Sequence, residues 1–163
     1  MNWMEFSKNI NGVYNEKYDV NLGGDVLLKE IIQITKDGRT KITKKTRRGY
    51  EASSHMNVEK FEIEFRHNHL KFNKNRLRRK YWLSRIFRDQ IDHYKIDGLI
   101  SKTIENIVGT KEIKTLLNHS NSEFYSIENL IVFKCQSLGK MHEDLNSILS
   151  AFDIVKSFLI TER

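Results

Sequence analysis

The most regular pattern in the chain is VEKFEIEF, residues 58–65, where Phe61, Ile63 and Phe65 alternate with Glu62 and Glu64. Period two places the apolar side chains on one side of an extended backbone and the acids on the other, so a half-buried strand is expected. The pattern runs on into RHNHLKF, with His67 and His69 in phase with the phenylalanines. Upstream, VLLKEIIQIT and TKITKKT are rich in β-branched residues and flank Asp37-Gly38. Asp-Gly suits the positive φ angles of a type I′ turn, so two antiparallel strands are predicted around it. The outgoing strand has Ile42 as its one clear core residue, and its density of cations predicts an edge strand, where lysine discourages pairing with another chain.

Helical spacing dominates elsewhere. Trp3, Phe6, Ile10, Val13 and Tyr14 recur at three and four residues, which predicts a short N-terminal helix ending between residues 12 and 15. NLGGD, residues 21–25, reads as a turn because adjacent glycines accept backbone angles that other residues avoid. Gly49 to Met56 reads as a connection. From about Asn75, the residues Leu77, Tyr81, Trp82, Leu83, Ile86, Phe87 and Ile91 supply one apolar side of a helix whose remainder is basic. YKIDGLI reads as a short strand and turn, and Thr110 caps a helix carrying Ile113, Leu116 and Leu117. SEFYSIEN and LIVFKCQ read as two strands joined near Glu128 and Asn129, with Ile131, Phe133 and Cys135 on one face. Leu145, Ile148, Leu149, Phe152, Val155 and Leu159 keep helical register to the end of the chain. The expected fold is a single α+β domain over residues 1–163. It has an antiparallel sheet of hairpins, an N-terminal helix and a long C-terminal helix packed on the sheet.

Composition agrees with a folded domain, since apolar residues make up 39% of the 163 and charged residues 30%. One cysteine, Cys135, excludes an internal disulfide framework and points to a reducing compartment, the cytoplasm. No stretch approaches the roughly 18 to 20 apolar residues of a membrane span, and Glu5 and Lys8 interrupt the N-terminus where a signal peptide needs an apolar run.

Charge changes the picture most. The net charge is +7, and the halves differ: residues 1–90 hold 20 Lys and Arg against 11 Asp and Glu, while residues 91–163 hold 8 against 10. Two clusters concentrate the excess. The first comprises Arg39, Lys41, Lys44, Lys45, Arg47 and Arg48, and the second Lys71, Lys74, Arg76, Arg78, Arg79, Lys80, Arg85 and Arg88. The second cluster contains no acid, whereas a merely solvated helix would interleave glutamates at i,i+4. Such concentration points to a polyanionic partner or an acidic protein face.

The chemistry of these residues suits phosphate contacts more than base reading. The first functional expectation is therefore a non-catalytic protein that docks on RNA, or on an RNA-protein complex, through the phosphate backbone. The second is a small inhibitor or immunity-type protein covering an acidic site on a partner protein. A metal-dependent nuclease built on His67 and His69 ranks last, because two alternate histidines lack further ligands nearby. Walker, Rossmann, zinc-quartet and nucleophile-elbow motifs do not occur, and no cofactor is implied. Cys135 is expected to be buried and inert.

Overall fold

A computed structural model describes residues 2–20, 26–35, 38–48, 58–79, 94–98, 106–118, 122–137 and 141–160. Among them run α1 (Trp3–Asn9), β1 (Val13–Val20), β2 (Val26–Thr35), β3 (Arg39–Arg48), β4 (Val58–Arg66), β5 (Phe72–Arg79) and β6 (Tyr94–Gly98). They are followed by α2 (Lys111–Leu117), β7 (Glu123–Glu128), β8 (Leu130–Ser137) and α3 (Met141–Ile160). The strands form one antiparallel sheet in the order β1-β2-β3-β4-β8-β7-β5-β6. Strands β1 to β4 are a meander, β7 and β8 a hairpin inserted beside β4, and β5 and β6 close the far edge. The α+β domain read from the sequence is the fold observed.

One face of this sheet carries the core. In register across the strands lie Ile32, Ile42, Ile63 and Phe133, with Phe61, Phe65, Ile131, Phe124 and Leu77 around them. Onto this inner face pack Trp3 and Phe6 of α1, Ile113, Leu116 and Leu117 of α2, and Leu145, Ile148, Phe152 and Val155 of α3. Phe152 meets Phe124 edge-on with ring centroids 6.4 Å apart, and Trp3 meets Phe6 likewise at 6.2 Å. None of the described helices covers the opposite, outer face.

Four expectations are corrected. The N-terminal helix stops at Asn9, because Asn11 adopts a left-handed φ of 53° and the Gly12 amide closes back on the Ser7 carbonyl at 2.8 Å. Val13 and Tyr14 therefore open β1, a strand that the helical spacing of Ile10 and Tyr14 concealed. Gly12 is needed at this reversal, since a Cβ there would lie 2.5 Å from Ile32 Cγ2.

Strand β3 is interior rather than an edge, being paired on both sides by β2 and β4. Its cations project from the outer face, which none of the described helices covers, and not from a margin of the sheet. Residues 75–79 are strand, not helix: Asn75 and Leu77 are buried while Arg76 is exposed, a period of two. The remainder of that expected helix lies outside the described residues, as do the turn at residues 21–25 and the connection at 49–56.

The strand through Phe65 ends at Arg66 and does not continue to His69. His67 Nδ1 accepts hydrogen bonds from the amides of His69 and Leu70, each at 3.0 Å, which bends the chain. Asn129 fixes the same corner: its carbonyl accepts from the His67 amide at 2.9 Å and its side-chain amide donates to the His67 carbonyl at 3.1 Å.

Candidate polyanion-docking face

Strand alternation sorts every paired residue to one side of the sheet. The outer face receives Lys17 of β1, Lys29 of β2, Arg39, Lys41, Lys45 and Arg47 of β3, and Lys60 and Arg66 of β4, with Lys134 of β8 and Arg76 and Arg78 of β5 further along. Its acids are Asp19, Glu62, Glu64, Glu123 and Asp97, so bases clearly outnumber them. On the inner face Glu16, Glu30 and Glu59 surround Lys44.

Register adds a feature that no linear stretch shows. Lys17 is opposite Lys29, Lys29 opposite Lys45, and Lys45 opposite Lys60, so four lysines form one row perpendicular to β1, β2, β3 and β4. Neighbouring strands lie about 4.8 Å apart, and the row is thus roughly 14 Å long. Like charges directly opposite one another destabilise a sheet. Two acids moderate the row: Asp19 is ion-paired with Lys29, and Glu62 lies 3.7 Å from Lys45 and 3.2 Å from Lys134. The hydrogen bond from Lys29, with Lys17 adding its field, holds the Asp19 carboxyl below its ordinary pKa. Lys60 is exposed and has no ion-pair partner among the described residues.

The β5 cluster is farther away and more neutralised. Between β3 and β5 stand β4, β8 and β7, which sets the two basic clusters roughly 19 Å apart. Arg76 is ion-paired with Glu123, and Arg78 with Asp97 at 3.2 Å. Lys134 lies 5.3 Å from the Tyr125 ring centroid, a cation over an aromatic face. Around these residues the surface forms a groove of about 610 Å³ in which Lys74, Arg76 and Lys134 face Glu123 and Asp97.

The residues singled out from sequence are thus divided. Arg39, Lys41, Lys45 and Arg47 share the outer face with Arg76 and Arg78, whereas Lys71, just before β5, and Lys74, within it, are exposed. Arg48 and Arg79 belong to strands whose side chains there are not described, and Lys80, Arg85 and Arg88 lie outside the described residues.

Lys44 points inward and is 8% exposed. Its ammonium sits between Glu30 at 3.3 Å and Glu59 at 3.4 Å, and 5.6 Å from the Trp3 ring centroid. Beside it the Tyr14 hydroxyl donates to Glu16 and Glu30 at 3.0 and 3.3 Å. Desolvation, reinforced by those two carboxylates, pushes the phenol pKa upward.

The remaining chemical candidates have structural positions. His67 spends Nδ1 on its turn, and no group of three or more His, Cys, Asp or Glu among the described residues could hold a metal ion. Cys135 is buried on the inner face opposite Phe61, and burial raises its thiol pKa to about 12. No described helix is long and apolar enough to cross a membrane.

Sequence reasoning missed Lys17, Lys29 and Lys60, since each stands beside an acid in the chain and only cross-strand pairing aligns them. Comparisons with protein-family models, with curated proteins and with solved structures find no match, which leaves the geometry of the outer face as the guide to function.

Proposed function

We propose that this protein is a non-catalytic RNA-docking module that holds the phosphate backbone of a single strand on the outer face of its sheet. The observation carrying the reading is the row Lys17, Lys29, Lys45 and Lys60 on a face that no described helix covers. A row of mutually repelling cations is costly in the free protein and is relieved when phosphates come between them. Lysine is a point charge without the planar fork of arginine, and it suits phosphate contact without base selection. Arg39, Lys41, Arg47 and Arg66 flank the row and extend the same field.

The test is titration of a labelled single-stranded RNA against wild type and a Lys29→Gln, Lys60→Gln variant shown to be folded. Binding that is independent of base sequence and weakened at least several-fold in the variant supports the proposal. Failure of the wild type to bind RNA, with capture of a polyacidic peptide instead, transfers the face to an acidic protein partner.

A further inference from the structure

The edge of β1 that faces away from β2 is exposed along its length among the described residues. The strand is eight residues long, pairs with β2 in unbroken register from Val13↔Gln33 to Val20↔Val26, and has no described neighbour on its other side. Edge strands are ordinarily blunted by proline, a bulge, short length or a covering element. This strand has no bulge, the chain has no proline, and Val13, Tyr18 and Val20 are 65%, 61% and 68% exposed. Its outward amides and carbonyls form a template for one more strand.

We propose that the added strand is β1 of a second copy of this chain, paired antiparallel about a two-fold axis at Tyr18. The order Glu16-Lys17-Tyr18-Asp19 selects both the partner and the register. Residues directly opposite in such a pair share a face, so each allowed two-fold register is centred on a single residue. Centring on Glu16, Lys17 or Asp19 sets a charge against its own copy, and centring on Asn15 makes no ion pair.

Centring on Tyr18 sets Lys17 opposite the partner's Asp19 and Asp19 opposite the partner's Lys17. It also places the two tyrosines together on the inner side and Val20 beside the partner's Glu16. Lysine blunts an edge by making pairing bury an uncompensated charge; here Lys17 gains a carboxylate instead. The two outer faces then form one continuous surface related by the two-fold axis.

Sedimentation of the full chain over a concentration series, in the absence of RNA, reads the mass directly and is independent of the docking proposal. Wild type is expected to approach the dimer mass. Lys17→Asp and Asp19→Lys, each confirmed as folded by circular dichroism, are expected to remain monomeric at concentrations where wild type is dimeric. An equimolar mixture of the two variants is expected to recover the dimer, because all four charges are again opposed.

A cysteine replacing Tyr18 lies opposite itself at a Cα separation of roughly 4.5 to 5.5 Å, within disulfide range. Tyr18→Cys is therefore expected to cross-link under mild oxidation, while Val20→Cys is not. A wild type that stays monomeric overturns the proposal. So does a dimer that survives both charge reversals, a mixture that fails to associate, or cross-linking at Val20 in preference to Tyr18.

Discussion

Lys45 stands directly opposite Lys60 in the antiparallel ladder between β3 and β4, with Lys29 opposite Lys45 on the other side. This arrangement opposes the sheet's own stability. Replacing Lys60 by Gln is accordingly expected to stabilise the free protein by roughly 0.2–1 kcal/mol at low ionic strength. The gain should vanish near 1 M salt, where the screening length falls to about 3 Å. Urea unfolding at both ionic strengths measures this, and a gain of equal size in high salt would argue against repulsion as its cause.

Lys44 presents the opposite case, a single cation between Glu30 and Glu59 on the covered face. Removing one partner of a largely buried charge group leaves carboxylates desolvated without compensation. Lys44→Met is expected to cost on the order of 3 kcal/mol. Lys44→Met combined with Glu30→Gln and Glu59→Gln should recover much of that loss. Denaturant midpoints of the single and triple variants decide it, and a single variant as stable as wild type would show that the cluster does not depend on its cation.

How far the structure was legible can be judged from these same residues. VEKFEIEF announced β4 because its apolar and charged groups alternate without interruption. Thr40, Ile42, Lys44 and Thr46 alternate inward just as strictly, but a lysine at a core position has no meaning until Glu30 and Glu59 are known to flank it. Strand β1 was hidden because Ile10 and Tyr14 happen to keep helical spacing across a reversal at Asn11. The cationic content of the outer face was visible as two linear clusters, and three of the four aligned lysines were not. A row across strands is a property of register, which depends on contacts between residues far apart in sequence.

Asp37-Gly38 marked the hairpin between β2 and β3 correctly, but the closing pair Thr35↔Arg39 leaves three residues between the strands rather than the two of a type I′ turn. The Gly38 φ of 141° lies in the region that favours glycine, and a Cβ would fall 2.7 Å from the Arg66 carbonyl oxygen and 2.8 Å from the Phe65 ring. Gly38→Ala is expected to destabilise the protein by about 1–3 kcal/mol, observable as a lower melting temperature. An unchanged melting temperature would mean that the turn can adopt another geometry.

Burial of Cys135 gives a pH dependence with a definite sign. The thiol titrates near 9.0 when unfolded and at about 12 when folded. Above pH 9 the unfolded chain therefore loses a proton that the native state retains, and stability falls as pH rises through that window. The wild type should lose roughly 1 kcal/mol per pH unit more than Cys135→Ala between pH 9.5 and 11, since both share all other titrating groups. Parallel pH profiles would place the thiolate in contact with solvent. Thiol reagents should likewise label Cys135 only on unfolding.

The central claim is that the outer-face lysine row contacts phosphate, and its most direct measurement is the salt dependence of single-stranded RNA affinity. Each lysine that neutralises a phosphate contributes about −0.7 to the slope of log affinity against log salt. Converting Lys17, Lys29, Lys45 and Lys60 together to Gln, in a protein shown to be folded, is predicted to weaken binding alike for all sequences. It should also make the slope shallower by about 2.8. An affinity and slope equal to those of wild type would contradict the account and remove the row from the RNA-binding surface.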